Sequence, residues 1–187
     1  MPYIRETILT TVNSEGHVHI APLGIIADGD GWIIAPFRPS QTLENLAQVP
    51  FAVANYTDDV RIFAGCLTGR KDWPTVPLTD CPVPRIEAAL AHSVLRVEHF
   101  ADDPVRPRFK CSVATEQNHA PFTGFNRAKA AVLELAILAS RLHMLPREKI
   151  EAELAYLSIA IEKTAGPHEQ EAWNWLLERV TAHLDRA

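Results

Sequence analysis

The sequence predicts a mainly β plus α chain: an antiparallel barrel, closed or half-closed, followed by a C-terminal helical bundle. Three observations carry this. Short β-forming runs separated by turn residues recur through the first half of the chain. One short helix, headed by Ser40, interrupts them. After residue 126 the apolar residues adopt helical spacing, in segments broken at Pro146 and at Gly166-Pro167.

The elements follow in order. Residues 6–13 hold the β-formers Thr7 to Val12, Asn13-Ser14-Glu15-Gly16 is turn chemistry, and 17–21 alternates, so the two runs form a hairpin. The second strand continues through Pro22-Leu23-Gly24 to residue 27. Proline and glycine there predict a bulge, or a close approach by another body. Asp28-Gly29-Asp30-Gly31 is a second tight turn, 32–35 a third strand and 50–56 a fourth. Thr57-Asp58-Asp59 turns, and 60–64 begins a fifth. Residues 68–86, rich in turn formers, are expected as a long proline-bearing connection, and 86–91 as a short helix. Strands at 93–100 and 108–115 complete the barrel. Asn126 caps a deeply buried helix to about His143, Pro146 opens the next, and Trp173, Leu177, Val180 and Leu184 stripe a third. The expected division is a barrel over 1–120 and a three-helix region over 121–187 packed on it.

With 187 residues, 47% of them apolar, the chain can bury a substantial core. A net charge of −5 gives no electrostatic case for nucleic acid or an anionic membrane surface. Cys66, Cys81 and Cys111 are odd in number and form no CxxC, which argues for a reducing compartment and against a zinc site or disulfide framework. With no apolar signal core and no 18-residue apolar run, the expectation is a soluble, cytoplasmic protein.

The stretch from Ile34 to Leu46 is the one the chain is organised around. It reads as the end of a buried strand, a turn stiffened by Pro36 and Pro39, and a short helix capped by Ser40. Leu43 occupies the place where Glu would complete a capping box. Arg38, the hydroxyls of Ser40 and Thr42 and the first amides of the helix converge on one small volume. Such a volume suits a phosphate; a capped helix with a surface arginine is the plainer alternative.

Residues 5–65 resemble the FMN-binding split barrel of the flavin reductase and pyridoxamine-phosphate oxidase group, and within it a DUF447-type, flavin reductase-like family of archaea and some bacteria. The resemblance rests on Thr11-Val12-Asn13, Ala21-Pro22-Leu23-Gly24, the run Pro36 to Leu46, and Ala54-Asn55-Tyr56-Thr57-Asp58-Asp59-Val60. Gly124-Phe125-Asn126-Arg127-Ala128-Lys129 extends it over most of the chain. It implies an antiparallel FMN-binding split β-barrel with FMN as cofactor, its phosphate held by Arg38, Ser40, Thr42 and Asn45. The flavin ring would lie against backbone of Pro22, Leu23 and Gly24 and of Pro36 and Phe37. Asn55, Thr57 and Asp58 are further candidates, although Asn-Tyr-Thr-Asp-Asp is also ordinary turn composition. Asn126, Arg127 and Lys129 are candidates as well: the two cations stand at the positive end of a helix dipole, which an anion would offset, and are expected to face the flavin cleft and bind an anionic group of the substrate.

Other constellations yield less. His17 and His19 share one side of a strand, but no third ligand is placed, and the alternating Val18 and Ile20 supply the core face; no metal is expected. Asp58-Asp59 and Asp102-Asp103 read as solvated turns, and of the remaining histidines only His119 sits near a suspect loop. No GxGxxG follows a strand, so a nicotinamide donor would bind beside the flavin without a Rossmann domain. The expected function is that of an FMN-dependent, flavin reductase-like oxidoreductase and homodimer. Its substrate would be a small molecule, with pterin-linked one-carbon metabolism suggested by the family's company, and its donor NAD(P)H or a reduced deazaflavin. The alternative from another class is a protein that holds a flavin or related cofactor without turnover.

Overall fold

Alternation of buried and exposed residues sets the first half of the chain. In the computed structural model, which describes residues 2–186, six antiparallel strands close a barrel in the order β1-β2-β3-β8-β7-β4. They are β1 (Ile4–Val12), β2 (Val18–Asp28), β3 (Gly31–Ile34), β4 (Phe51–Tyr56), β7 (Ala91–Ala101) and β8 (Arg108–Asn118). Leu9, Ile25, Ile34, Ala54, Leu95 and Phe109 meet in the barrel core, and the helix α1 (Gln41–Gln48) adds Leu46 to it. Each fully buried Leu or Ile among them contributes about 1.5–3 kcal/mol. Gly31 permits the closure beside β8, because a Cβ there would lie 2.3 Å from the carbonyl oxygen of Cys111.

Several expectations are corrected. Residues 60–64 do not start a strand: Val60–Leu67 is the helix α2, capped by Asp59, whose side chain accepts from the amide of Arg61. Six of its eight residues are buried, so no polar stripe betrays its period, and Val, Ile and Phe imitate a strand. Residues 68–86 contain a hairpin, β5 (Thr75–Leu78) with β6 (Cys81–Ile86), rather than an unstructured connection. Pro82 and Pro84 are tolerated because β6 pairs with β5 alone, while Cys81 and Val83 pack with Val12, Val53 and Val94. The helix expected at 86–91 is absent; a turn leads straight into β7. No bulge forms at Pro22–Gly24, since β2 pairs with β1 in unbroken register from Val18 to Ile26. Val18, at the strand end, is exposed, and only Ile20 of that pair joins the buried residues.

The chain forms two compact units. The first comprises the residues up to Thr57 and Trp73–Phe122; the second joins Asp58–Asp72 to the chain from Thr123 onward. In the second unit α2 packs with α3 (Arg127–Ser140) and α5 (Pro167–Leu184), and α3 also packs with α4 (Arg147–Thr164). Leu135, Ile150, Leu176 and Val180 are among its fully buried side chains. No helix among the described residues is long and apolar enough to cross a membrane.

Candidate functional site

The site begins where β3 ends. Ile34, Ala35 and Pro36 are buried, the chain then turns outward at Phe37, and Ser40 starts α1 in an extended conformation. The Ser40 hydroxyl accepts from the amide of Leu43 at 3.4 Å, a long capping bond. The amides of Gln41 and Thr42 find no acceptor among the described residues. Thr42 is only 5% exposed, yet its hydroxyl makes no hydrogen bond. No buried side-chain polar atom among the described residues lacks a partner, so that hydroxyl reaches the surface. Two amides and one hydroxyl therefore stand open at the positive end of α1.

Arg38 is held beside them by a segment the sequence did not implicate. The β7–β8 connection folds onto the turn: the Arg38 amide donates to Val105 O at 3.0 Å, and Arg106 Nε donates to Ala35 O at 2.8 Å. The Arg106 guanidinium lies 4.9 Å from the centre of the exposed Phe37 ring. Arg38 itself donates through Nε to Asp103 O at 3.0 Å and pairs with the Asp102 carboxylate. The Asp103 carboxyl is held below the usual carboxylate range by the amides of Arg106 and Val105. Asp102 and Asp103 are thus the clamp on Arg38 rather than a merely solvated turn. Turn composition disguises such a role.

Backbone is exposed nearby in the sheet. β3 pairs with only Ile26, Ala27 and Asp28 of β2, so Pro22, Leu23 and Gly24 have a strand, β1, on one side alone. A Cβ at Gly24 would come within 2.8 Å of Ile4 Cγ2 and 3.1 Å of Glu6 Oε1, which keeps this position small. Pro36 is buried and Phe37 is 59% exposed.

The remaining residues proposed from the sequence are occupied internally. Asn45 is buried, donating to Thr11 Oγ1 at 3.0 Å and accepting from Gln41 Nε2 at 2.9 Å, which clasps α1 to β1. Asn55 is fully buried; its amide nitrogen reaches Ile8 O and Val53 O, and its oxygen accepts from the Ile86 amide at 2.8 Å. Nothing of Asn55 is left for a ligand. Thr57 donates to Ala88 O at 2.9 Å. In the second unit Asp58 and Lys129 pair with each other, both about 29% exposed. Asn126 accepts from the amides of Ala128 and Lys129 and donates to Thr164 O at 3.0 Å, tying the start of α3 to the end of α4. Of that group Arg127 alone is an exposed cation without an ionic partner among the described residues.

Two further features bear on chemistry. His92, on β7, is buried, and its Nδ1 lies 2.7 Å from His119 Nε2, with the rings parallel. Burial lowers both imidazoles, and the charge of Arg85 adds to it. Burial also pushes the thiols of Cys66 and Cys111 up, to about 11 and about 12, so neither offers a nucleophile. Among the described residues no cluster of three or more His, Cys, Asp or Glu is placed to hold a metal.

Comparison with known proteins agrees with this geometry. The family model described as a protein of unknown function (DUF447), N-terminal domain, matches residues 5–120, and its companion DUF447 model matches 126–178. An FMN-bound protein of Methanosarcina mazei is similar over 94% of each chain, with a TM-score of 0.80 at 21% identity. Flavoredoxin from Methanosarcina acetivorans is similar over 62% of this chain and 69% of its own, with a TM-score of 0.53 at 16% identity. A 2-nitrobenzoate 2-nitroreductase of Pseudomonas fluorescens covers 63% of this chain and 64% of its own, with a TM-score of 0.52 at 21% identity. These likenesses show the split-barrel fold expected from the sequence. No curated protein matches the chain.

Proposed function

We propose, from the premise that the chain belongs to the DUF447 family, that it is an FMN-binding flavoprotein acting as an oxidoreductase on a small molecule. The observation that carries this reading is the start of α1. Two unpartnered amides, the open hydroxyl of Thr42 and the guanidinium of Arg38 form a donor set for one terminal phosphate. The one-sided stretch Pro22–Gly24 and the exposed Phe37 would border the ring. FMN, when bound, supplies hydride and single-electron transfer. The chain's residues bind and orient it: Ser40 fixes the helix start, Arg106 holds Ala35, and the Asp102–Asp103 loop keeps Arg38 in place until a phosphate competes for it.

Further parts of the reading are that the protein is a homodimer and that reducing equivalents come from NAD(P)H or a reduced deazaflavin. The substrate would be a pterin-linked one-carbon carrier or another small molecule with an anionic group for Arg127.

Absorbance and mass of the purified protein test the core of this. A yellow protein releasing FMN is expected; a colourless one that also fails to take up added FMN overturns the reading. Rapid mixing with NADH, NADPH or reduced deazaflavin then separates an enzyme from a carrier, since a carrier leaves the bound flavin oxidised. Light scattering should give close to twice the chain mass of 20.8 kDa.

A further inference from the structure

The second unit carries a grouping of basic side chains that the flavin reading does not use. The last turn of α3, the 3₁₀ turn after it (Leu142–Met144) and the last turns of α5 enclose a cleft of about 460 Å³. Its polar lining is His143, Arg179, His183, Arg186 and Ser140, and no Asp or Glu lines it. None of the four basic side chains is ion-paired among the described residues. Arg179 donates to the carbonyl oxygen of Leu67, which uses one of its five donors. The chain as a whole is acidic, with 23 Asp and Glu against 18 Lys and Arg, so this grouping runs against its average.

Helix dipoles account for part of it. Cations are favoured near helix C-termini, and His183 lies in the last turn of α5. His143 likewise lies in the last turn of the 3₁₀ helix, so dipoles cover both histidines, but not two arginines lining the same cleft beside a hydroxyl with no carboxylate. The volume lies in the range of small-molecule sites and exceeds what a single ion needs. Arg179, His183 and Arg186 also lie beyond residue 178, where the family match ends.

We propose that this cleft binds a small phosphorylated molecule carrying at least two negative charges. Two guanidinium groups can each grip a phosphate through paired N–H donors, with Ser140 and the imidazoles completing the shell.

The test is titration calorimetry with pyrophosphate on the full chain carrying Arg38→Ala, which weakens the α1 turn as a competing anion site. One pyrophosphate per chain is expected. Arg186→Gln and, separately, His183→Gln should each weaken binding about tenfold. Arg186 is exposed and outside the packed core, so its change leaves the fold intact by circular dichroism. No heat at millimolar pyrophosphate, or an affinity unchanged by both substitutions, overturns the proposal. Citrate binding tenfold tighter than pyrophosphate overturns the phosphate assignment. None of these outcomes depends on whether FMN binds at α1.

Discussion

Two helix starts in this chain look alike in sequence and differ in structure. Ser40 heads α1 and Asn126 heads α3, and each is accompanied by basic residues. At α3 most groups are spent: Asn126 caps two amides and reaches Thr164 O, Lys129 is neutralised by Asp58, and Arg127 is left as an exposed cation without an ionic partner among the described residues. At α1 the cap is long, two amides and the Thr42 hydroxyl are open, and Arg38 is held only through an exposed loop. The difference teaches that charge at a helix start does not identify an anion site. Unsatisfied donors do, because a satisfied network gains little from a ligand and a half-satisfied one gains much.

The sharpest division of the two would come from Asn126→Ala. Losing a double cap and a bond between helices should cost about 2–3 kcal/mol in urea unfolding while leaving FMN affinity unchanged. Arg38→Ala should do the reverse, weakening FMN binding by roughly ten- to a hundredfold with little change in stability. Thr42→Val should cost about tenfold in the same assay, and an affinity equal to wild type would return α1 to a plain capped helix. Asp102→Asn removes the competitor for Arg38 and should tighten FMN binding by a few-fold, more at low salt.

The smallest effect concerns His92 and His119. Their folded imidazoles bind protons less readily than the ordinary value of about 6.5, so the folded state holds fewer protons there than the unfolded one. Their contribution to stability is complete above that value and is lost as pH falls below it. Thermal melts should show a drop on going below pH 6.5 that His92→Gln reduces. An identical drop in that variant would assign it to other groups.

How much of this was legible varied with the kind of signal. Ser40 as cap and Gln41 as first helical residue were readable, because a cap is written in adjacent residues. Asn126 was readable for the same reason, but the use of its amide on Thr164, 38 residues away, was not. The helix at Val60–Leu67 was misread because burial on nearly all sides erases the polar stripe that reports period, although Asp59 was a usable capping signal. The hairpin of β5 and β6 was hidden by Pro82 and Pro84, which only an edge position excuses. Within the candidate site, Arg38, Ser40 and Thr42 were proposed from local chemistry. Asp102, Asp103 and Arg106 were missed, since their role exists only through a contact made more than 60 residues from the turn they hold. Asn55 was placed in the site by its company and is a bracket for three strands, through the backbone of Ile8, Val53 and Ile86.

One feature of the chain's division has a bearing on its synthesis. The helix α2 belongs to the second unit, yet it is made before nearly half of the first. Its partner α3 begins at Arg127, so at ribosomal rates of about 5–20 residues per second α2 waits roughly 3–12 s for its first neighbour. During that interval Ile62, Phe63 and Ala64, buried in the finished protein, lack the helices α3 and α5 that pack on α2. The nascent chain is therefore most exposed to sticking or to capture by a chaperone midway through translation. A chain ended at Phe122 would keep that state permanently, and should be recovered from cells as aggregate rather than as a separate barrel.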